Sequence, residues 1–533
     1  MKGKLLLYMT AFFSGMTIMA VELSASRLLA PYYGTSSIVW TLIIGIIMIA
    51  LSIGNVLGGR SADKHNNLSR LFFYIWLASI WIAFIPILGK YIIGLSAIVM
   101  MWILPDSLVV SGTVFSCLVI FSVPLLILGM SPPYLVKLGI KDMENNGRIT
   151  GEIYAIGTVG SIIGTFIPTF LTIPTIGTQK TFFLFALILN IICLTYYISK
   201  KLTKRRNLIT AVIILALLII PFKNSFAFWK DTLLEDESSY NYLQVYEDED
   251  SVMLSTNVII GVQSIYMKNN AITGMYYEYG LMAPFFIKDK DMSSSFDVLV
   301  LGNGTGTYAK RTKYFFPESS LEGVEIDKKI VDISKEYFEL TDEEQTVYVY
   351  DGRTFLMSKH AKEYDIVLID AYHDITIPFH MATVEFYREV KKHLKPGGVI
   401  LLNICMKSKT NTELEEYLSH TLKSEMDIVY KYDIPRGSNM LVFGSNDMDC
   451  LDNYINNIKK IPEDHPLKNI SKNVEGGLVE ITKAEKIMTD DISPIEIVGH
   501  KLLDELISED LEYYKGKIMA SDIGILEIFN LLD

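Results

Sequence analysis

A glycine loop and three carboxylates recur at one kind of position in this 533-residue chain, each closing a short apolar run of β-forming residues. Val298-Leu299-Val300-Leu301 runs into Gly302-Asn303-Gly304-Thr305-Gly306, and the next run ends in Val324-Glu325-Ile326-Asp327. The third, Val347-Tyr348-Val349-Tyr350, ends in Asp351-Gly352, and the fourth, Ile366-Val367-Leu368-Ile369, in Asp370. A strand entering spaced glycines (Gly302, Gly304, Gly306) lets main chain approach a nucleoside where a Cβ would collide, and it sets helix N–H groups beside the ligand. An acid about 23 residues after the first glycine, here Glu325, can accept both ribose hydroxyls. A carboxylate ending the third strand, Asp351, can accept an adenine amino group. A turn or a helix cap would explain any one of these acids, whereas four strands that each end in a polar group match ligand sites in open α/β sheets. The loop lacks the third-glycine pattern of a dinucleotide site and no P-loop lysine follows it. An adenosyl sulfonium compound is the better fit.

The elements that must carry these residues divide by solvent. The spacing predicts a transmembrane helical domain over 1–222, a small β lead-in domain over 223–290, a Rossmann-like domain over 291–450 and a helical extension over 451–533. The lead-in is read from short stretches such as Tyr242–Tyr246 and Gly261–Tyr266. Apolar runs at Leu5–Ala30, Ile38–Leu57, Leu71–Leu88, Leu108–Gly129, Ile153–Ile173, Phe182–Ile198 and Leu208–Phe222 give seven spans, since about 20 apolar residues cross a bilayer as a helix. Tyr91–Leu104 is read as re-entrant or interfacial, or as an eighth span. The first run carries Glu22 and Arg27 and is followed by further spans, which argues against a cleaved signal peptide. A buried charge in such a run is expected to face protein, a polar cavity or the interface. Gly54 with Gly58, and Gly160 with Gly164, have the spacing of close helix packing.

Charge follows the same division. Residues 1–222 hold 16 basic and 6 acidic residues, leaving 32 basic and 54 acidic beyond. The acidic soluble half argues against nucleic acid as a partner. Four scattered cysteines without CxxC spacing and eight dispersed histidines indicate neither a metal site nor a disulfide framework. Basic clusters at Lys2 and Lys4, Arg60 to Arg70, Lys137 to Arg148 and Lys200 to Arg206 all favour the cytoplasm. Seven spans would then leave residue 223 onward outside, while a cytosolic nucleotide ligand requires it inside; the chemistry favours the cytoplasmic side.

With these motifs in view, residues 238–403 resemble the spermidine synthase (polyamine aminopropyltransferase) family, and the whole chain resembles its membrane-fused bacterial branch. The resemblance rests on Ser239-Tyr240-Asn241, Gln263, Tyr276-Tyr277-Glu278 with Pro284, Glu325, Asp351-Gly352-Arg353, Asp370, and Ile377-Pro378 through Thr383, Glu385 and Phe386. Thr489-Asp490-Asp491 with Pro494 and Glu496, and Glu22, Arg27, Pro31 and Gly34, match the membrane-fused branch. It implies a polytopic α-helical domain joined to a β domain and a class I methyltransferase-type α/β domain. The implied reaction is aminopropyl transfer from decarboxylated S-adenosylmethionine to a putrescine-like amine, with methylthioadenosine released and no metal or permanent cofactor needed. Asp370 would be the base and Tyr276 would orient the amine, with Tyr277, His373 and Asp374 toward the amine substrate. Asn241, Gln263, Thr305 and Gly352 join the glycines, Glu325 and Asp351 around the donor. Tyr276 and Gln263 are equally readable as β-domain packing residues.

Two departures bear on substrate. Thr305 stands where the family carries an aspartate for the donor's ammonium, losing a charge-assisted hydrogen bond of about 1.5 to 3 kcal/mol. His373, followed by Asp374, stands where the family has its second acid. Both suit intact S-adenosylmethionine, so a lyase giving methylthioadenosine, or another transferase, is an alternative. A polyamine or adenosyl-ligand transporter with a sensor domain is a third reading, aided by Gly58-Gly59-Arg60-Ser61-Ala62-Asp63, which looks like a facilitator-type loop. His380 is read as a loop or helix-start histidine. The expected partners are the bilayer and a small amine, and the Leu502–Glu512 helix is expected to pack on its own domain or on another protomer.

Overall fold

The computed structural model describes residues 2–65, 67–104, 107–140, 146–201, 205–220, 226, 232–258, 262–372, 377–408 and 410–520. They form two compact units, residues 1–242 with 257–260, and residues 243–256 with 261–533.

The first unit is helical: Lys2–Tyr33, Ser37–Lys64, Leu68–Ile103, Leu108–Ile120 followed by Ser122–Gly139 at a 50° bend, the long run Asn146–Ser199, and Arg205–Ile219. Four described helices are long and apolar enough to cross a bilayer, or five if the bent pair counts as one. Apolar side chains cover their outward faces, among them Ile49, Phe84, Phe166 and Val212. The segments expected at 153–173 and 182–198 lie in one 54-residue run, interrupted by a π-turn at Pro168–Thr172 and by Gly177 at φ +81°. Two sequence expectations are corrected. Tyr91–Leu104 is no separate segment, because it continues the 36-residue helix Leu68–Ile103. Gly58–Asp63 is not a loop but the last turns of Ser37–Lys64, where Gly58 serves packing: a Cβ on it would lie 2.6 Å from the Met130 backbone. Gly160 and Gly164 likewise bring the main chain of Asn146–Ile167 onto Phe12 and Met16, where a Cβ would meet carbonyl oxygens at 2.0 and 2.1 Å.

Strand β1 (Leu234–Glu237) also belongs to this unit. The Glu237 carboxylate accepts from Thr178 N and Oγ1 at 2.8 and 2.6 Å, satisfying an N–H freed by the break at Gly177. Arg27 donates to the Ser239 carbonyl, so the charge in the first helix serves to tie down the segment that leaves the bundle.

The second unit opens with an antiparallel meander of β2 (Tyr242–Glu247), β3 (Ser251–Ser255) and β4 (Ser264–Met267). An eight-stranded mixed sheet follows, with strands β5 (Asp297–Leu301), β6 (Ser320–Glu325), β7 (Thr346–Val349), β8 (Tyr364–Ile369), β9 (Leu394–Ile404), β10 (Ile428–Asp433), β11 (Met440–Ser445) and β12 (Val479–Glu480). The order is β12-β10-β11-β9-β8-β5-β6-β7, parallel from β7 to β9 and antiparallel beyond. This is the sheet of a Rossmann-like, methyltransferase-type domain. Helices cover both faces, so β5, β8 and β9 are buried on both sides and read as unbroken apolar runs instead of alternating ones. On one face Val298, Val300, Leu368 and Leu401 pack with Phe285, Phe286 and Tyr454. Each fully buried side chain of this kind contributes roughly 1.5 to 3 kcal/mol. At the amino ends Lys395 pins Asp297 and Asp365 at 2.5 and 2.8 Å, which leaves the carboxyl ends free for chemistry. The terminal helix Ile495–Ala520 packs on its own domain through buried Leu502 and Leu503, and Asn411 Nδ2 donates to Glu505 at 2.8 Å.

The crossover from β5 places β6 on one side and β8 on the other, a topological switch point at which the carboxyl ends part. Gly302 sits there at φ +85°, and a Cβ on it would lie 2.4 Å from Ala371 Cα and the Asp370 carbonyl. Gly302→Ala should therefore destabilise the domain by roughly 2 kcal/mol or more, from backbone strain plus collision. Urea unfolding of the full-length protein checks this; an unchanged midpoint would contradict it.

Candidate active site

The strand ends deliver a compact set of polar groups around this switch point. Asp370 N donates to the Leu301 carbonyl at 2.9 Å, which continues the β5–β8 pairing and turns the Asp370 side chain out at the end of a buried strand. Its two oxygens have different donors: Tyr276 OH at 2.5 Å on one and Asn403 Nδ2 at 2.8 Å on the other. Asn403 lies near the end of β9 and its own Oδ1 accepts from Asn439 Nδ2 at 3.0 Å. Tyr372 OH donates to the Asn403 carbonyl at 2.6 Å and accepts from Cys405 N at 3.0 Å, fixing that strand end. Desolvation pushes the Asp370 carboxyl up to about 6, with the two donors pulling the other way. Burial and the adjacent Asp370 charge hold the Tyr276 phenol well above its ordinary value, so it remains a donor.

Tyr276 begins the short helix Tyr276–Gly280, which Glu278 locks in place. The Glu278 carboxylate accepts from Thr273 Oγ1 at 2.9 Å and Met275 N at 3.1 Å and pairs with Arg311 at 3.2 Å, both partners being buried. Arg311 lies on Thr307–Phe315, the helix that follows the glycine loop, so one buried ion pair joins the helix of Tyr276, the phenol partner of Asp370, to that loop. Tyr277 is buried with its ring 4.2 Å from that of Tyr276, and burial raises its phenol pKa.

Around the loop, Gly302, Gly304 and Gly306 all have positive φ. Protein atoms explain the demand for glycine: Cβ atoms at Gly304 and Gly306 would meet Ser264 Oγ at 2.8 Å and Leu340 at 2.7 Å. Glu325 accepts from Gly304 N at 2.9 Å and Asp327 N at 3.0 Å, and burial pushes its carboxyl up to about 7. Asp327 itself caps the helix Lys328–Glu336. Thr305 is fully buried, and among the described residues its hydroxyl has no hydrogen-bond partner. Asp351 caps the helix Gly352–Leu356 through Thr354 N at 2.8 Å, and its other oxygen lies 2.9 Å from His380 Nε2. The His380 hydrogen bond, ahead of the Thr354 donors, holds the Asp351 carboxyl at about 2.

The structure thus brings together Asp370 and Tyr276, places Gly302, Gly304, Thr305, Gly306 and Glu325 on adjoining strand ends, and sets Asp351 with Gly352 on the strand beyond. Gln263 is half-buried, its Oε1 accepting from Thr256 Oγ1 at 3.2 Å within the meander. Asn241 belongs to the first unit, in a turn closed by Ser238 Oγ at 2.8 Å from Asn241 N. His373 and Asp374 lie outside the described residues. Sequence reasoning missed Asn403 and Asn439; it read His380 as a loop or helix-start histidine, and His380 does lie in the short turn Phe379–Met381, but its bond to Asp351 was not foreseen. Asn403 carried a usable signal, a polar residue near the carboxyl end of the fifth parallel strand.

A sheet of this strand order, with a glycine loop and successive strand-end acids at its switch point, is that of a Rossmann-like, methyltransferase-type domain. Residues 288–436 match the Spermine/spermidine synthase domain family. A probable polyamine aminopropyl transferase of Bifidobacterium longum is 36% identical over 348 residues, 62% of this chain and 76% of the relative. The polyamine aminopropyltransferase of Vibrio vulnificus is 28% identical over 43% of this chain and 77% of its own length. Among solved structures, a probable spermidine synthase from Corynebacterium glutamicum aligns at 19% identity over 50% of this chain and 98% of its own, with a TM-score of 0.39. The chain belongs to the spermidine synthase (polyamine aminopropyltransferase) family and is a transferase.

If Asp370 serves as a general base it must be ionised, so activity should rise as pH increases through about 6 and level off above it. Asn403→Leu removes a donor that favours the carboxylate, and the acid limb of kcat should then move to higher pH. A limb that stays in place would show that Asn403 does not tune the base.

Proposed function

We propose that the protein is a membrane-anchored aminopropyltransferase acting on decarboxylated S-adenosylmethionine and a small amine of the putrescine type. The observation that carries this reading is the Asp370 carboxylate at the switch point, held by Tyr276 and Asn403 and lifted toward neutral pH. The nitrogen lone pair attacks the aminopropyl carbon beside the sulfonium, the C–S bond breaks, and its electron pair stays on sulfur as neutral methylthioadenosine. Asp370 takes the proton that the attacking nitrogen loses. A carboxylate with a pKa of about 6 is a stronger base than an ordinary aspartate and is still mostly ionised at pH 7. Glu325 is assigned to the ribose hydroxyls and Asp351 to the base. Alignment of nucleophile and leaving group supplies most of the remaining acceleration, and no metal step is needed.

The helical unit is read as the anchor. Helices of 28 to 36 residues exceed the ~20 residues a bilayer core requires, and a run of 54 residues is long enough to cross twice, with Gly177 as the break. The soluble unit is assigned to the cytoplasmic face, where a nucleotide-derived donor is available.

Thr305 favours keeping one further reading, since an uncharged side chain offers the donor's ammonium no counter-charge and does not repel the carboxylate of intact S-adenosylmethionine. Incubating the solubilised protein with each donor, with and without putrescine, and weighing the products separates the two. Spermidine formed only from the decarboxylated donor plus putrescine is the expected result. Methylthioadenosine from intact S-adenosylmethionine without an amine would replace transfer by lyase chemistry, and binding without product from either donor would favour a sensor or transporter. Asp370→Asn should lower turnover by at least about a hundredfold, in line with the loss of a general base, while methylthioadenosine still binds.

A further inference from the structure

The segment that follows β12 returns to the strand-end acids. Val384 N donates to the Met488 carbonyl at 2.9 Å, and Met488 N donates to Thr421 Oγ1 at 3.0 Å, which seats buried Met488 against the domain. Two residues on, Asp490 receives both Arg353 terminal nitrogens, Nη1 and Nη2, at 2.7 Å each, and Thr383 Oγ1 at 2.8 Å. Asp490 N in turn donates to Glu385 Oε2 at 3.0 Å. Arg353 also holds the loop beside it, since Nη1 donates to the His380 carbonyl at 3.0 Å. The His380 ring then reaches Asp351 at 2.9 Å. Two parallel bonds between a guanidinium and a carboxylate fix direction as well as distance. The chain of contacts therefore runs without a gap from Asp490 to the acid assigned to the adenine base.

We propose that Asp490 is a positioning residue for nucleoside recognition: by locking Arg353 it holds His380, and His380 holds the Asp351 carboxylate in the orientation that accepts the exocyclic amino group of adenine. This rests on the assignment of Asp351 to the base under the proposed function. A tether with a merely structural role would cost stability without altering which base is preferred. The positioning role instead makes base discrimination depend on a residue that the contacts place three side chains away.

The test compares binding of methylthioadenosine with that of its inosine analogue, whose 6-oxo group cannot donate to Asp351. Calorimetry on the full-length solubilised protein should show a clear preference of the wild type for the adenine compound. In Asp490→Asn the affinity for methylthioadenosine should fall by about five- to tenfold, as expected when a charge-assisted pair is weakened, and the preference over the inosine analogue should shrink. Asp351→Asn should have the same signature, and the double variant should lose little more than either alone, because the residues act in one chain. Arg353→Lys, which breaks the paired bonds to Asp490 while keeping the charge, should shift both readouts in the same direction and serves if Asp490→Asn does not fold. Unchanged affinity and preference in folded Asp490→Asn, with a wild type that discriminates, would overturn this inference alone. A wild type that binds neither compound would overturn the function on which it rests.

Discussion

The close approach of Gly302 to the chain at Asp370 and Ala371 is the constraint on which the site depends. Two parallel strands end side by side, and the room for one missing Cβ lets the glycine loop turn away in one direction while Asp370 turns out in the other. Everything polar is then arranged outward from that point. Tyr276 and Asn403 grip the carboxylate from opposite sides, and the buried Glu278–Arg311 pair keeps the Tyr276 helix in register with the glycine loop. Breaking such a buried pair typically costs about 3 to 5 kcal/mol, which makes it a rigid strut for a site that must align two reactants.

The three acids show how one fold gives like side chains unlike properties. Asp370 and Glu325 are desolvated and rise to about 6 and 7, whereas Asp351, beside His380 and the first turn of a helix, falls to about 2. A carboxyl near neutrality can exchange a proton during turnover; one held at about 2 is a fixed acceptor. Environment alone separates these roles, as it does wherever one scaffold runs acid and base chemistry at neutral pH.

Much of this was legible before the structure. The β5 and β8 strands could be read because strands buried on both faces are nearly continuous apolar runs, β7, a half-exposed edge strand, because of its β-forming residues, and β6 because its apolar turn into Glu325 stood at the expected distance from the glycine loop. The reason for the glycines was only half legible. Sequence suggests clearance for a ligand, yet the Cβ positions of Gly302, Gly304 and Gly306 are contested by Ala371, Ser264 and Leu340 of the protein itself. Asn403, His380 and Asp490 were out of reach as partners, because their bonds join residues 33, 29 and 137 positions apart and no local pattern encodes such pairings. In the helical unit hydropathy located the apolar runs, but it could not tell that Leu71–Leu88 and Tyr91–Leu104 are one helix, since Lys90 is accommodated without a break. The Gly58–Asp63 turn was misread because glycine there serves close packing on Met130 and not chain reversal.

The proposed mechanism turns on a nucleoside lying across the carboxyl ends of β5 to β8 with its sulfur facing Asp370. An experimental structure of the full-length protein with methylthioadenosine tests this most directly. The expected result is ribose hydroxyls on Glu325, the adenine amino group toward Asp351, and the thioether on the side of Asp370 and Tyr276. A nucleoside bound elsewhere, or one bound here with its sulfur turned away from Asp370, would contradict it.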